Sequence, residues 1–275
     1  MKTIDRESNT TLENIFISAG VSPLLANILS KREIKSLEEL DMSMSKLLPP
    51  WNLLNITKAS KLLGDAIIKK KFIVVVADFD ADGATGCAVA ILGLKKFNAN
   101  VDFIVPDRFT FGYGLTSKLV NYAVEKFEKT HNTIPELLLT VDNGISSHEG
   151  VLTAKKFGIK VLITDHHLPG KKLPDALIVN PQQPSCKFES KNIAGVGVIF
   201  YLLIATRVWL REESYFANTV EPKLDDLLSL VALGTIADLV PLDLNNRRIV
   251  SQGIKRFKLN LIPEGLKALL KISNI

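Results

Sequence analysis

Three carboxylates fall within five residues, Asp78, Asp80 and Asp82, in the run FIVVVADFDADGATG. Side chains packed this densely repel one another unless cations or donors offset the charge. A hard divalent cation, Mg²⁺ or Mn²⁺, is the natural counter-charge for Asp oxygens. Alternate residues of an extended chain point the same way, so Asp78 and Asp80 are expected to converge. Asp82 is expected to join them only if the chain stays extended that far. D-x-D-x-D-G also opens an EF-hand loop, but the twelfth position holds Val89 instead of the required Glu.

Other residues of the same chemistry follow apolar runs. Asp142 precedes Asn143-Gly144, and Asp165 precedes His166 and His167, two of only four histidines. Paired imidazoles at such an address read as ligands and favour Mn²⁺ over Mg²⁺ relative to an all-oxygen site. Asp238 lies in an otherwise apolar stretch, where an ionised carboxylate needs a partner; a metal is the simplest, and a local cap is the alternative. Arg108 offers a guanidinium fork to a phosphate, or a surface ion pair to Asp107. Tyr113 sits between Gly112 and Gly114 in a loop suited to close approach. Gly195 and Gly197 open an apolar helix, either for close helix packing or as a nucleotide-facing surface.

The elements that must carry these residues alternate. Residues 72–76, 101–105, 136–141, 160–164 and 176–180 are β-branched or aliphatic runs of the kind buried on both faces of a parallel sheet. Helical patterns separate them, with Gly83 and Gly86 expected to let the chain turn into the first, near Ala84, and Ser147 a plausible cap for another. The reading is an α/β fold: a doubly wound, mainly parallel five-stranded sheet with its site along the carboxyl edge. Residues 1–50 form a helical N-terminal extension, with short helices after Ser22-Pro23 and from Ser36, and residues 51–275 the catalytic domain. Leu48-Pro49-Pro50-Trp51 marks the boundary, a helix over 56–71 follows, and the chain beyond 190 turns helical. Runs at 245–248 and 255–258 add positive charge, weak evidence for nucleic acid.

The 275 residues carry a formal charge of +5, 47% hydrophobic and 23% charged residues, which suits a soluble globular protein and permits a polyanionic partner. No run is long enough for a membrane span, and the N-terminus lacks a signal-peptide core. Two cysteines fit a reducing, cytoplasmic setting.

DFDADGATG, VDNGIS, TDHH, AGVGV and GTIADLVPLD, in this order, resemble the DHH phosphoesterases from about Trp51 onward. PDRFTFGYGL and the full GTIADLVPLD are similar to the branch of single-strand-specific DNA exonucleases rather than to the shorter oligonucleotidases and pyrophosphatases. The resemblance implies a two-metal Mn²⁺ or Mg²⁺ site on Asp78, Asp80, Asp142, His166 and Asp238, with Asp142 bridging. It implies supporting catalytic roles for Asp82, Asp165 and His167, and substrate contacts from Arg108, Tyr113, Gly195 and Gly197. Some relatives carry a His where Val76 stands. The implied activity is 5′→3′ hydrolysis of single-stranded DNA to 5′-mononucleotides in recombination and repair, by a monomer working with a helicase or a single-strand-binding protein and no membrane. The alternatives are a hydrolase of short oligonucleotides or small phosphate esters, or a non-catalytic module binding DNA or replication proteins. The family's DHH-associated domain and oligonucleotide-binding fold are not recognisable before Ile275, so the expectation is a formed metal site with poor grip on long strands.

Overall fold

In the computed structural model, which describes residues 6–32 and 34–274, the five apolar runs form β1 (Phe72–Ala77), β2 (Asn100–Ile104), β3 (Leu137–Val141), β4 (Lys160–Thr164) and β5 (Leu177–Val179). They pair in the order β2-β1-β3-β4-β5, every pair parallel. β1, β3 and β4 are central and almost wholly buried, the environment their uninterrupted aliphatic sequence requires. β2 is an edge strand, and Asn100 and Asp102 lie on it.

Helices cover both faces. On one, α6 (Ser117–His131) and α7 (His148–Lys156) bury Leu119, Val120, Phe127, Val151 and Ala154 against Val74, Val76, Leu138 and Ile163. On the other, α4 (Ala81–Lys96) and α8 (Gly195–Glu212) pack on the sheet and on each other, with α3 (Ile56–Ile68) against α8. α9 (Leu228–Ala237) lies on α4 and α8, and α10 (Leu244–Lys258) on α9. A short α5 (Arg108–Phe111) follows β2, and α11 (Glu264–Ile272) follows α10. No helix among the described residues is long and apolar enough to cross a membrane.

The chain divides into two compact units, Met1–Lys46 and Leu47–Ile275. In the first unit α1 (Thr10–Ser18) and α2 (Pro23–Lys31) close over Phe16, Ala26 and Ile34, and Glu13 accepts hydrogen bonds from Asn27 and Ser30. Pro23 starts α2, where its lost N–H is harmless. The second unit holds the sheet and every candidate site residue.

Three sequence expectations change here. Gly83 and Gly86 do not form a sharp turn; both lie inside α4 and serve close approach. A Cβ on Gly83 would sit 2.4 Å from the Asp78 carbonyl oxygen, and one on Gly86 would sit 2.6 Å from Val141. α4 also begins three residues earlier than expected because the Asp80 carboxylate caps it, accepting from the Gly83 N–H at 2.9 Å. Ser147 in turn does not cap α7; its hydroxyl accepts the Leu115 N–H at 3.0 Å instead.

Candidate metal centre

The parallel register aligns the ends of β1, β3 and β4, so the residue after each strand emerges on one edge. Asp78 follows β1, Asp142 follows β3, and Asp165, His166 and His167 follow β4. Asp142 takes a left-handed backbone (φ 63°), unusual for a residue other than glycine, and so turns back over the strand ends. Its N–H remains bonded to the Thr164 carbonyl, and the Asn143 amide donates to the Val76 and Val141 carbonyls, fastening β1 to β3. The sequence reads Asn143 only as turn chemistry; its buried stapling role depends on both strand ends being adjacent.

Helix ends bring in the rest. Asp80 and Asp82 lie at the start of α4, and Asp238 terminates α9. Three overlapping sets of potential ligand atoms result, the members of each within 4.8 Å of one another: Asp78, Asp80 and Asp142; Asp142, His166 and His167; and Asp82, His166 and Asp238. His166 Nε2 is 3.1 Å from Asp142 Oδ1 and 3.5 Å from Asp238 Oδ2. All five residues expected as metal ligands are therefore brought together, and so are Asp82 and His167.

Asp82 corrects the extended-chain condition. The backbone is already helical there, yet the helical turn itself swings the side chain into the cluster, 3.8 Å from His166 Nε2. Its two oxygens accept the N–H groups of Gly195 (2.6 Å) and Val196 (2.9 Å) at the start of α8. A carboxylate at a helix N-terminus is favoured by both the orphan donors and the helix dipole. Asp82 thus ties α4 to α8 beneath the site.

Electrostatics mark the cluster as incomplete without positive charge. Burial, then repulsion from Asp80, pushes the Asp142 carboxyl up to about 9. Burial and Asp142 push Asp82 up to about 7, and burial raises Asp78 and Asp238 as well. Asp142 Oδ1, His166 Nε2 and Asp238 Oδ2 are buried without a hydrogen-bond partner. Buried polar atoms in that state are uncommon, and here they face one another. Carboxylate oxygens with one or two imidazole nitrogens form a donor set that suits Mn²⁺ or Mg²⁺.

Asp165 plays a different part. Burial pushes its carboxyl up, but hydrogen bonds from the His167 ring and the Ile145 N–H outweigh that and hold it below the ordinary range. It also accepts the N–H groups of His166 and His167. Asp165 in turn raises His167 to about 9, so the half-exposed ring is an imidazolium at neutral pH.

The residues expected to touch substrate separate. Arg108 does not pair with Asp107, which instead caps α5 through the Phe109 N–H; the guanidinium lies over the Phe79 ring, 4.9 Å from its centroid. The Tyr113 ring stands edge-on to His167 at 6.3 Å; burial and the surrounding carboxylates raise its pKa. Gly195 backs the cluster, since a Cβ there would lie 2.5 Å from Asp142 Oδ1. Gly197 is buried against Ile193 and does not line the cluster, which is the packing role that competed with a nucleotide-facing one. The sequence does not single out Gly234, yet a Cβ there would meet Thr85 at 2.2 Å and Asp82 at 3.0 Å. Val76 is sealed in the α6–α7 core and supplies no ligand. The basic runs are partly engaged in structure: Asn246 donates to the Asn192 and Pro241 carbonyls, and Arg256 to the Asp225 carbonyl.

Comparison with known proteins agrees with this geometry. Residues 72–235 match the model of the DHH family, N-terminal domain. The single-stranded-DNA-specific exonuclease RecJ of Salmonella typhimurium is 45% identical over 273 residues, 98% of this chain and 46% of that protein. The chain thus spans about half the length of the curated relatives it matches. The structure of RecJ from Thermus thermophilus in complex with Mn²⁺ superposes with a TM-score of 0.73 and 31% identity, covering 93% of this chain and 34% of that one. The Mg²⁺ complex from the same organism gives 0.64 and 27%, covering 98% and 33%.

Proposed function

The chain belongs to the DHH family, and on that premise we propose that it is a metal-dependent single-strand-specific DNA exonuclease, working 5′→3′ and releasing 5′-mononucleotides in recombination and repair. The observation that carries the reading is the convergence of Asp78, Asp80, Asp142, His166 and Asp238 with three buried ligand atoms that make no hydrogen bond. These five residues would hold two divalent cations, Mn²⁺ or Mg²⁺ as in the relatives' complexes, with Asp142 shared between them. Bound there, such a pair supplies Lewis-acid polarisation of a phosphodiester and an activated water.

The chain's own groups do the remainder. Asp82 fixes the start of α8 so that Gly195 presses against Asp142 and leaves it little room to rotate. Asp165 holds His167 through Nδ1, so Nε2 is the nitrogen available to donate to a substrate phosphate oxygen. Tyr113 stands beside His167, and Arg108 at the mouth neutralises phosphate charge. The same reading carries a helicase or a single-strand-binding protein as partner, a monomeric state and a cytoplasmic setting; the two buried free cysteines, Cys87 and Cys186, suit the last. A purely DNA-binding module has no use for this many buried carboxylates around two imidazoles, so the enzyme is favoured.

The test is hydrolysis of single-stranded and duplex oligonucleotides labelled at either end, with Mn²⁺ or Mg²⁺ and with Asp80→Ala as the blank. Release of 5′-mononucleotides from the 5′ end of the single strand alone is expected. Activity equal in the blank, or equal on duplex, overturns the reading.

A further inference from the structure

Phe79 stands in the chain between Asp78 and Asp80, and its ring is 39% exposed. The Arg108 guanidinium lies over it and is also 6.0 Å from the centroid of Phe109. Phe109 is 93% exposed, and its backbone is held in place. Asp107 accepts the Phe109 N–H at 3.0 Å and the Thr110 hydroxyl at 2.6 Å, and Phe111 packs on Tyr122. Gly112, at φ 80°, then turns the chain so that the Tyr113 ring stands edge-on to His167.

One exposed phenylalanine is ordinary on a protein surface. This one differs in standing beside a guanidinium that lies over a second ring, that of Phe79 between Asp78 and Asp80. Arginine stacks on aromatic faces while its N–H fork stays directed outward to phosphate. An outermost ring left in water offers its free face to another flat apolar group. In a nucleic acid that group is a base, and its face is accessible when the base is unpaired and unstacked.

We propose that Phe79, Arg108 and Phe109 form a stacked platform at the mouth of the cluster, on which an unpaired nucleobase lies against Phe109 while Arg108, held flat by Phe79, takes an adjoining phosphate. The proposal rests on the reading of the cluster as a nuclease centre. Phe109 is then a base-binding residue and Phe79 a positioning residue acting through Arg108. Bases inside a duplex present no free face to Phe109, so the platform contributes to single-strand preference independently of the width of any groove.

The experiment is equilibrium binding of a fluorescent oligothymidylate and of an abasic oligomer of equal length, with Ca²⁺ in place of the catalytic cation. Phe109→Ala is expected to weaken the oligothymidylate about five- to a hundredfold, the range of base–aromatic stacking, and to leave the abasic oligomer unchanged. Phe109→Trp restores binding. Arg108→Gln weakens both oligomers alike and lowers the slope of log affinity against log salt by about one phosphate contact. Phe79→Leu lowers the same slope. If Phe109→Ala binds both oligomers as the unaltered chain does, the platform is wrong while the nuclease reading stands. If the unaltered chain binds neither oligomer, both fall.

Discussion

Gly195→Ala tests the packing that aims the cluster. The new Cβ would lie 2.5 Å from Asp142 Oδ1, 2.6 Å from its Cβ and 2.8 Å from its Cγ. Ordinary carbon contacts are about 3.5–4.0 Å, so something must move by about 1 Å. Asp142 has little freedom to retreat: it is buried, its N–H is bonded to Thr164, and its backbone is already left-handed. α8 is held from the other side, because the Gly195 and Val196 N–H groups are committed to Asp82. Overpacking of this kind costs about 1–3 kcal/mol, offset in part by the roughly 0.5–1 kcal/mol that alanine gains over glycine in a helix. A net loss of up to about 2.5 kcal/mol lowers Tm by up to roughly 10 °C in a chain of this size, so the variant folds. The metal site is more sensitive. A group that orients a ligand is worth about 10–100-fold in metal affinity, and a 1 Å misplacement about 100-fold in rate. Mn²⁺ titration followed by the electron paramagnetic resonance of the free ion, beside thermal denaturation in chelator, separates the two effects. Gly197→Ala is the control, since its Cβ meets only the side chain of Ile193. Mn²⁺ affinity within twofold of the unaltered chain in Gly195→Ala would refute the claim that Gly195 positions Asp142.

Without metal, burial and mutual repulsion raise Asp142 to about 9 and Asp82 to about 7, so Mn²⁺ binding there is expected to release protons and to tighten from pH 6 to 9; calorimetry in buffers of different ionisation enthalpy reads this directly. The raised carboxyls penalise the metal-free fold increasingly as pH climbs from their unfolded values, near 4, through about 7 and 9, and the raised His167 loses its contribution over about 6.5 to 9. Both act in one direction, so the metal-free Tm is expected to fall between pH 6 and 9, and Asp142→Asn to flatten that fall while abolishing tight Mn²⁺ binding. Asp82→Ala strands two buried N–H groups at the start of α8 and is expected to destabilise by about 2–4 kcal/mol in chelator, measured by denaturant titration; a loss under about 0.5 kcal/mol contradicts the α4–α8 tie. Asp165→Asn removes the group that charges His167, and the ring's pKa, followed by its NMR shift in metal-free protein, is expected to drop from about 9 toward its ordinary value. No drop would mean that Asp165 is not the cause.

The sequence alone determined the sheet and the address of its chemistry. Uninterrupted aliphatic runs suit strands covered on both faces, and a parallel sheet puts their carboxyl ends along one edge, so Asp78, Asp142 and the Asp165-His166-His167 run were legible as neighbours. Only the tertiary structure decided how Asp82 and Asp238 reach them, because each is delivered by a helix terminus whose direction depends on packing against other helices. The glycines show the same division. Their place in the chain suggested a turn at Gly83 and Gly86 and either close packing or a nucleotide surface at Gly195, and marked nothing at Gly234, whereas all four lack a side chain where α4, α8 and α9 approach one another and the cluster more closely than a Cβ permits. Close approach is a property of pairs of elements far apart in the chain, and local spacing carries no trace of it. The stacking of Arg108 on Phe79 is of that kind too: nearly thirty residues separate them in the chain, and only the adjacency of β1 and β2 in the sheet brings the guanidinium over the ring between two aspartates.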